Sequence, residues 1–138
     1  MESIEQFLRR DQYAKHCGIE LVSVFPGSAT AKMRLQPWHL NAVGSAQGGA
    51  IFTLADFAFA AASNAHGNAA VGINVSIIYL KAVQTGVLTA EAREVGLNPK
   101  LGSYTVDVRD ETSALIAVFQ GLVYRKSESL ESVVQRVS

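Results

Sequence analysis

The segment from Ala50 to Ala62 constrains the fold more than any other part of the chain. Almost every side chain in it is apolar, so the helix that it predicts has apolar side chains on all faces and not on one face alone. Such a helix is expected to be enclosed by protein on every side. Asp56 is the exception, because a carboxylate there loses hydration unless a partner or a chemical role compensates for it. The segment therefore predicts a central helix with a buried acid.

Composition sets the size and the setting of this fold. The 138 residues, 49% of them hydrophobic, fit a single domain over residues 1–138 with one core. Twelve basic and twelve acidic residues cancel, so overall charge indicates neither nucleic acid nor a membrane surface as a partner. Cys17 is the only cysteine, which excludes an internal disulfide and agrees with a cytoplasmic location. The N-terminus lacks the apolar core of a signal peptide, and the longest apolar run is too short to span a bilayer.

Apolar periodicity predicts the elements around the central helix. Residues 3–16 have the spacing of a short amphipathic helix that ends at Gly18. Two strands are expected at residues 19–25 and 29–35, because Pro26-Gly27-Ser28 between them is typical of a hairpin turn. Alternating patterns predict four more strands after the central helix, at residues 71–80, 86–95, 101–108 and 114–124.

The first of these later strands has the clearest alternation. One face is expected to be apolar and the other to carry small polar groups. The apolar set is Val71, Ile73, Val75, Ile77 and Tyr79. The tail, from residue 127 to residue 138, has the pattern of a short amphipathic helix through Leu130, Val133, Val134 and Val137, and is equally consistent with a frayed end.

Short turns join the last four strands, so neighbouring strands run antiparallel, since parallel neighbours need long crossovers. An antiparallel sheet must cover one apolar face, and a helix that is apolar all round must be enclosed. A curved sheet wrapped around the central helix satisfies both requirements. The chain is therefore expected to be an α+β protein with the hot-dog architecture.

The polar loop before the helix carries a motif. The string His39-x-Asn41-x-x-Gly44-x-x-Gln47-Gly48-Gly49, followed by Asp56 and Asn64, resembles the signature of hot-dog acyl-CoA thioesterases of the phenylacetate-degradation (PaaI-type) group. This resemblance implies hydrolysis of the thioester of acyl-CoA without a metal or another cofactor. It also implies a homodimer with one continuous sheet, which usually pairs again into a homotetramer.

The resemblance implies roles for four residues. By position, Gly48 would supply the backbone N–H that binds the thioester oxygen, and Asp56 would act as nucleophile or general base. Asn41 would lie near the attacking water or the carbonyl. Where the group usually has histidine, this chain has Gln47, which can hydrogen-bond and hold the loop but cannot share a proton.

Elementary chemistry also favours the start of the helix and Asp56 as the reactive site. A helix N-terminus offers unpaired N–H donors to the negative charge that develops on an attacked carbonyl oxygen. Gly48 and Gly49 lie there without a Cβ, so a ligand can approach the backbone, although Gly-Gly also suits a plain tight turn. Burial is expected to raise the pKa of Asp56, which suits a general base, whereas a nucleophile must stay ionised. A structural acid paired with another segment is the third interpretation.

The spacing of these residues predicts an assembly. Gly48 and Asp56 are separated by about 12 Å along a helix, at roughly 1.5 Å per residue, so one carbonyl group cannot touch both. If both act on one bond, they come from two chains whose helices lie antiparallel. The catalytic hypothesis therefore predicts a dimer with two equivalent sites.

The remaining candidates each have an ordinary structural interpretation beside the functional one. His39 would orient a ligand or Asp56, or simply pack, and Thr53 lies on the Asp56 face where it would bond a carboxylate or fill a helix contact. Asn74 and Ser76 share a strand face and would line the acyl pocket or face solvent. Basic residues that would meet the phosphates of CoA, or remain surface charge, are Arg93 and Lys100, with Lys81, Arg125 and Lys126. The three histidines lack metal-ligand spacing, so no metal site is expected.

The sequence is consistent with three functions. The first is an acyl-CoA thioesterase for aromatic or medium acyl groups. A non-catalytic acyl-CoA binder is the second, and Gln47 favours it. A hot-dog dehydratase or hydratase is the third, but it would need a histidine and an acid on one substrate carbon, and no histidine lies between Gly48 and Asp56.

Overall fold

The computed structural model describes residues 2–136. The four helices are α1 (Glu2–Leu8), α2 (Gln12–Cys17), α3 (Gly48–Asn64) and α4 (Leu130–Arg136). The six strands are β1 (Ile19–Phe25), β2 (Ser28–Arg34), β3 (Asn68–Tyr79), β4 (Val87–Leu97), β5 (Leu101–Arg109) and β6 (Leu115–Ser129). They form one antiparallel sheet in the order β1-β2-β4-β5-β6-β3, and α3 contacts every strand of it. The predicted α+β hot-dog architecture is confirmed.

The centre of the fold is where α3 packs against the sheet. Its residues Leu54, Ala55, Ala58 and Ala62 have no solvent exposure. The facing strands β2 and β4 present mainly small buried residues, among them Ala31 and Ala90, which let the helix approach the sheet closely. Gly67, with φ of 101°, reverses the chain after α3, as the sequence predicted.

The prediction of one helix over residues 3–16 is wrong, because the structure has two. α1 ends at Leu8, and Asp11 then begins α2 by accepting a hydrogen bond from the backbone N–H of Ala14. A new N-cap in the middle of the segment starts a new helix axis. Gly18 ends α2 in the left-handed conformation that the sequence predicted.

The central helix is not enclosed on every side, which corrects a second prediction. Gly49 and Asp56 are exposed, and Thr53 and Ala60 are partly exposed, at the spacing of one continuous stripe along α3. We call these four residues the open stripe. β3, which packs beside α3, is an edge strand with no further strand beyond it. As part of the open stripe, Asp56 is solvent-accessible in the single chain and not deeply buried.

The prediction of one apolar face on β3 is also wrong. A bulge between Gly72 and Asn74 interrupts the pairing with β6 and shifts the alternation of side chains. Val75 pairs with Gly121, on the inner face beside α3, whereas Val71 pairs with the exposed Tyr124 on the outer face. Most of β3 is exposed on both faces because it lies at the edge.

The C-terminal tail forms a helix, which was one of the two predictions for it, the other being a frayed end. β6 continues to Ser129, and α4 then places the buried Leu130 in the core, while Val137 lies outside the described residues. Among residues 2–136, no helix has the length and apolarity needed to cross a membrane.

Candidate active site

The N-terminus of α3 presents one free backbone donor. Gln47 is the N-cap, and its side-chain oxygen accepts a hydrogen bond from the N–H of Gly49. The N–H groups of Ala50 and Ile51 bond the carbonyl of Gln47. The N–H of Gly48 has no partner among residues 2–136, so it is the donor left at the positive end of the helix dipole.

Neighbouring side chains approach both glycines after Gln47. A Cβ on Gly48 would lie 3.0 Å from the ring of Tyr79, and a Cβ on Gly49 would lie 2.5 Å from the side-chain oxygen of Gln47. The sequence analysis related these glycines to ligand access. The structure adds that the Tyr79 ring leaves little room for a side chain at Gly48, whereas at Gly49 the nearest group is the flexible end of Gln47.

Tyr79 is a site residue that sequence reasoning missed. Its hydroxyl donates a hydrogen bond to the carbonyl oxygen of Gly48 at 2.8 Å, across 31 residues of sequence. Burial raises the pKa of Tyr79, so the hydroxyl remains a donor at neutral pH. The alternating pattern placed Tyr79 only on an apolar strand face, and no local signal links it to the helix.

Asp56 has an unusual environment for an acid. Its carboxylate has no hydrogen bond or ion pair within the described part of the chain. Although the side chain reaches solvent, partial burial raises the pKa of Asp56, and the negative charge of Asp11 raises it further. Asp11, the N-cap of α2, is the second residue that the sequence did not indicate as part of the site. A carboxyl group with a raised pKa and a free face suits proton transfer.

Thr53 lies on the open stripe, one turn before Asp56. Its hydroxyl donates a hydrogen bond to the carbonyl of Gly49 at 2.7 Å, so its proton is engaged within the helix. The side chain is partly exposed, and its hydroxyl oxygen can still accept a hydrogen bond.

Asn41 organises the loop before the helix. Its side-chain oxygen accepts hydrogen bonds from the N–H groups of Val43 at 3.0 Å and Ser45 at 3.1 Å. Gly44, with φ of 84°, supplies the left-handed residue that this tight loop needs. The side-chain NH₂ of Asn41 has no partner in the described residues and stays available to a ligand.

His39 is buried, with 4% of its surface exposed. Its Nδ1 accepts a hydrogen bond from the backbone N–H of Gln36 at 2.9 Å, so the ring proton is on Nε2, which donates to the carbonyl of Cys17 at 2.9 Å. Both ring nitrogens are engaged. The ring therefore ties the loop to the end of α2, which matches the packing interpretation of this residue.

Four other candidates lie away from the open stripe. Asn74 and Ser76 pair with Leu122 and Gln120 on the outer face of the sheet, because the β3 bulge turns them away from α3. Arg93 is on β4 and approaches Asp107 at 3.6 Å, as a surface ion pair. Lys100 follows β4 in a surface cavity of about 700 Å³, together with the basic residues Arg125 and Lys126.

The geometry thus assembles one part of the predicted site and separates another. Asn41, Gln47, Gly48, Gly49, Thr53 and Asp56 lie in the loop and along the exposed side of α3. Because α3 is one unbroken helix, Gly48 and Asp56 of the same chain remain about 12 Å apart. No group of three or more metal-ligating residues occurs within residues 2–136.

Comparisons with known proteins agree with this geometry. The sequence profile of the thioesterase superfamily matches residues 44–117, which include the loop motif from Gly44 onward and all of α3. The chain belongs to the thioesterase superfamily. This match, together with the PaaI relatives described next, confirms the resemblance to the PaaI-type group and the expectation of a thioesterase.

Individual relatives fit the same family. Acyl-coenzyme A thioesterase PaaI of Escherichia coli is 34% identical over 116 residues, which are 83% of each chain. The solved structure of the E. coli PaaI protein superposes with a TM-score of 0.89 and 30% identity, and covers 93% of this chain and 94% of the other. An Archaeoglobus fulgidus protein, which carries an esterase name and not a demonstrated activity, is 39% identical over 93% of this chain and 84% of its own.

Proposed function

We propose that this protein hydrolyses the thioester bond of acyl-CoA, with an aromatic or medium-length acyl group. The unpaired N–H of Gly48 at the N-terminus of α3 carries the proposal. It supplies a fixed donor for the oxygen that becomes negative during attack, and the unpartnered Asp56 supplies a base on the same helix.

The chemistry follows from these two groups. The Gly48 N–H donates to the thioester carbonyl oxygen and stabilises the negative charge of the tetrahedral intermediate. Asp56 takes a proton from a water molecule whose oxygen attacks the carbonyl carbon. The carbon–sulfur bond then breaks, and the CoA thiolate leaves and is protonated. A raised pKa makes the ionised Asp56 carboxylate a stronger base, which suits this general-base role.

Two chains form each site in this proposal. The free edge of β3 exposes backbone groups and apolar side chains, including Ile73, Ile78 and Tyr79, beside the open stripe of α3. Pairing two β3 edges about a two-fold axis extends the sheet and lays the two α3 helices antiparallel. Gly48 of one chain then lies near Asp56 of the other. A further pairing into a homotetramer follows from the PaaI-type resemblance.

Supporting roles complete the proposed site. The free NH₂ of Asn41 contacts the water or the carbonyl, while Gln47 caps α3 and keeps the Gly49 N–H occupied. The basic cavity at Lys100 meets the phosphates of CoA. We place the protein in the cytoplasm, on the basis of its single buried cysteine.

One observation favours a second candidate, a non-catalytic acyl-CoA binder. The Gln47 side chain is used as a helix cap and cannot carry a proton, so the site has one proton-transfer group fewer than the PaaI-type signature. The dehydratase alternative loses support, because both ring nitrogens of His39 are engaged away from the open stripe.

Release of free thiol from a panel of aryl, medium-chain and long-chain acyl-CoA esters tests the proposal. Turnover by the wild type and its loss in Asp56→Ala are the expected results. Binding without turnover in the wild type supports the binder, and unchanged activity in Asp56→Ala excludes this site.

Mixing inactive variants tests the shared site. Gly48→Pro removes the donor and is tolerated by the backbone at the first position of a helix. Because a Cβ there would lie 3.0 Å from the ring of Tyr79, circular dichroism and the dimer size of this variant are checked first. A mixed dimer of Gly48→Pro and Asp56→Ala chains contains one intact site, so random exchange should restore about a quarter of the wild-type activity. If subunits exchange and no activity returns, the two groups do not act across the dimer.

A further inference from the structure

Tyr79 joins the end of β3 to the beginning of α3. It is the last residue of the strand, and its ring fills the space beside Gly48 that a side chain would otherwise take. Its hydroxyl donates to the Gly48 carbonyl at 2.8 Å. The same residue therefore makes both a packing contact and a polar contact with the first residue of α3.

The first turn of a helix needs such support. N-terminal N–H groups have no partners within the helix, and helix ends fray unless other groups hold them. Besides the Gln47 cap, which bonds Gly49, the Tyr79 hydroxyl is the side-chain group that bonds this turn from another element of the described structure. Since a displacement of about 1 Å can cost a large factor in rate, the orientation of Gly48 matters to catalysis.

We propose that Tyr79 is a positioning residue of the thioesterase site, which holds the first turn of α3 so that the Gly48 N–H faces the reacting carbonyl. This inference rests on the proposed function. Because β3 is also the free edge of the sheet, Tyr79 links the strand that pairs with a second chain to the donor that this chain supplies.

Tyr79→Phe tests the inference with little change in shape. The ring stays against Gly48, and only the hydroxyl bond to the carbonyl is lost. We expect kcat to fall roughly five- to tenfold, the effect of one lost hydrogen bond, with KM within about twofold of wild type. Tyr104→Phe is the matched control, because it also removes one hydroxyl hydrogen bond, the one to Glu94 at 2.7 Å, but away from the first turn of α3; its kcat per folded molecule should not change.

A second measurement separates positioning from general stability. Amide hydrogen exchange at Gly49 and Ala50 should become faster in Tyr79→Phe, while exchange in the C-terminal half of α3 stays at the wild-type rate. Tyr79→Leu removes the ring contact as well, so its kcat should fall further than that of Tyr79→Phe.

The outcomes are distinguishable. If the wild type is active and Tyr79→Phe keeps its kcat, or changes KM alone, the positioning role is wrong and the proposed function stands. An equal loss in Tyr104→Phe, or faster exchange along the whole helix, also overturns it. A wild type that hydrolyses no acyl-CoA overturns the proposed function and this inference together.

Discussion

The two ends of α3 differ in whether their polar groups are hydrogen-bonded. At the C-terminal end, the side chain of Asn64 bonds both the N–H and the carbonyl of Ala70, and Phe59 packs against the rings of Tyr104 and Phe119. From the N-terminus of the helix to Asp56 at its midpoint, the Gly48 N–H and the Asp56 carboxylate have no partners among the described residues. One end is closed and satisfied, and the other is open with unused hydrogen-bonding capacity.

Two acids show the same contrast. Burial raises the pKa of Glu94, but hydrogen bonds from Tyr104 at 2.7 Å and His66 at 2.6 Å outweigh it, so the pKa is lowered overall. Asp56 lacks such donors, and burial together with the charge of Asp11 raises its pKa. Glu94 is thus held as a carboxylate by structure, whereas Asp56 keeps a proton more readily. Asp56 has no hydrogen-bond partner within residues 2–136 and is not needed to hold the fold together, so its carboxyl group is available for chemistry.

The largest expected effect is a loss of activity when Asp56, but not Glu94, is replaced by its amide. Asp56→Asn should lower kcat/KM by about 10²- to 10⁴-fold, the range for loss of a general base, while the melting temperature stays near that of wild type. Glu94→Gln is the matched control, since it makes the same chemical change at the closed end. It should lower the melting temperature and leave kcat per folded molecule unchanged. Equal kinetic losses in both variants would remove the distinction between the two ends.

The next effect concerns packing at the closed end. A Cβ on Gly121 would lie 2.6 Å from the ring of Phe59, which the core holds in place. Gly121→Ala should therefore lower the free energy of unfolding by about 1–3 kcal/mol in denaturant titration, the usual cost of overpacking. Gly96→Ala provides the comparison, because a Cβ there meets no atom within 4 Å. A Gly121→Ala protein as stable as Gly96→Ala would show that Phe59 has room to move.

Local patterns in the sequence predict several features on which this contrast depends. The span of α3, the hairpin at Gly27 and the loop motif ending at Gly49 are each determined by residues close together in the chain, so their spacing predicts them. Gln47 was expected to hold the loop, and its cap on Gly49 does so.

Other features depend on which elements become neighbours. The exposure of Asp56 depends on which elements cover α3, and that arrangement, like the strand order, is not encoded in any local pattern. The contact of Tyr79 with Gly48 spans 31 residues, and the influence of Asp11 on Asp56 likewise acts between distant segments. The bulge after Gly72 moves Val71 to the face opposite Val75, since a one-residue shift moves side chains to the other face, while Asn74 and Ser76 take the outer face, one of the two positions expected for them.

The smallest expected effect tests how α2 acts on the open end. Asp11→Asn removes a negative charge near Asp56, and asparagine is as good an N-cap as aspartate, so α2 should remain capped. Because the charge of Asp11 raises the pKa of Asp56, its removal should lower that pKa. A general base works in its ionised form, so the acidic limb of the profile of kcat/KM against pH should move to lower pH. The plateau at higher pH, where Asp56 is ionised in both proteins, should stay within about twofold of wild type. The reverse displacement, or a fall in the plateau with an unmoved limb, would mean that Asp11 acts through the structure of α2 and not through its charge.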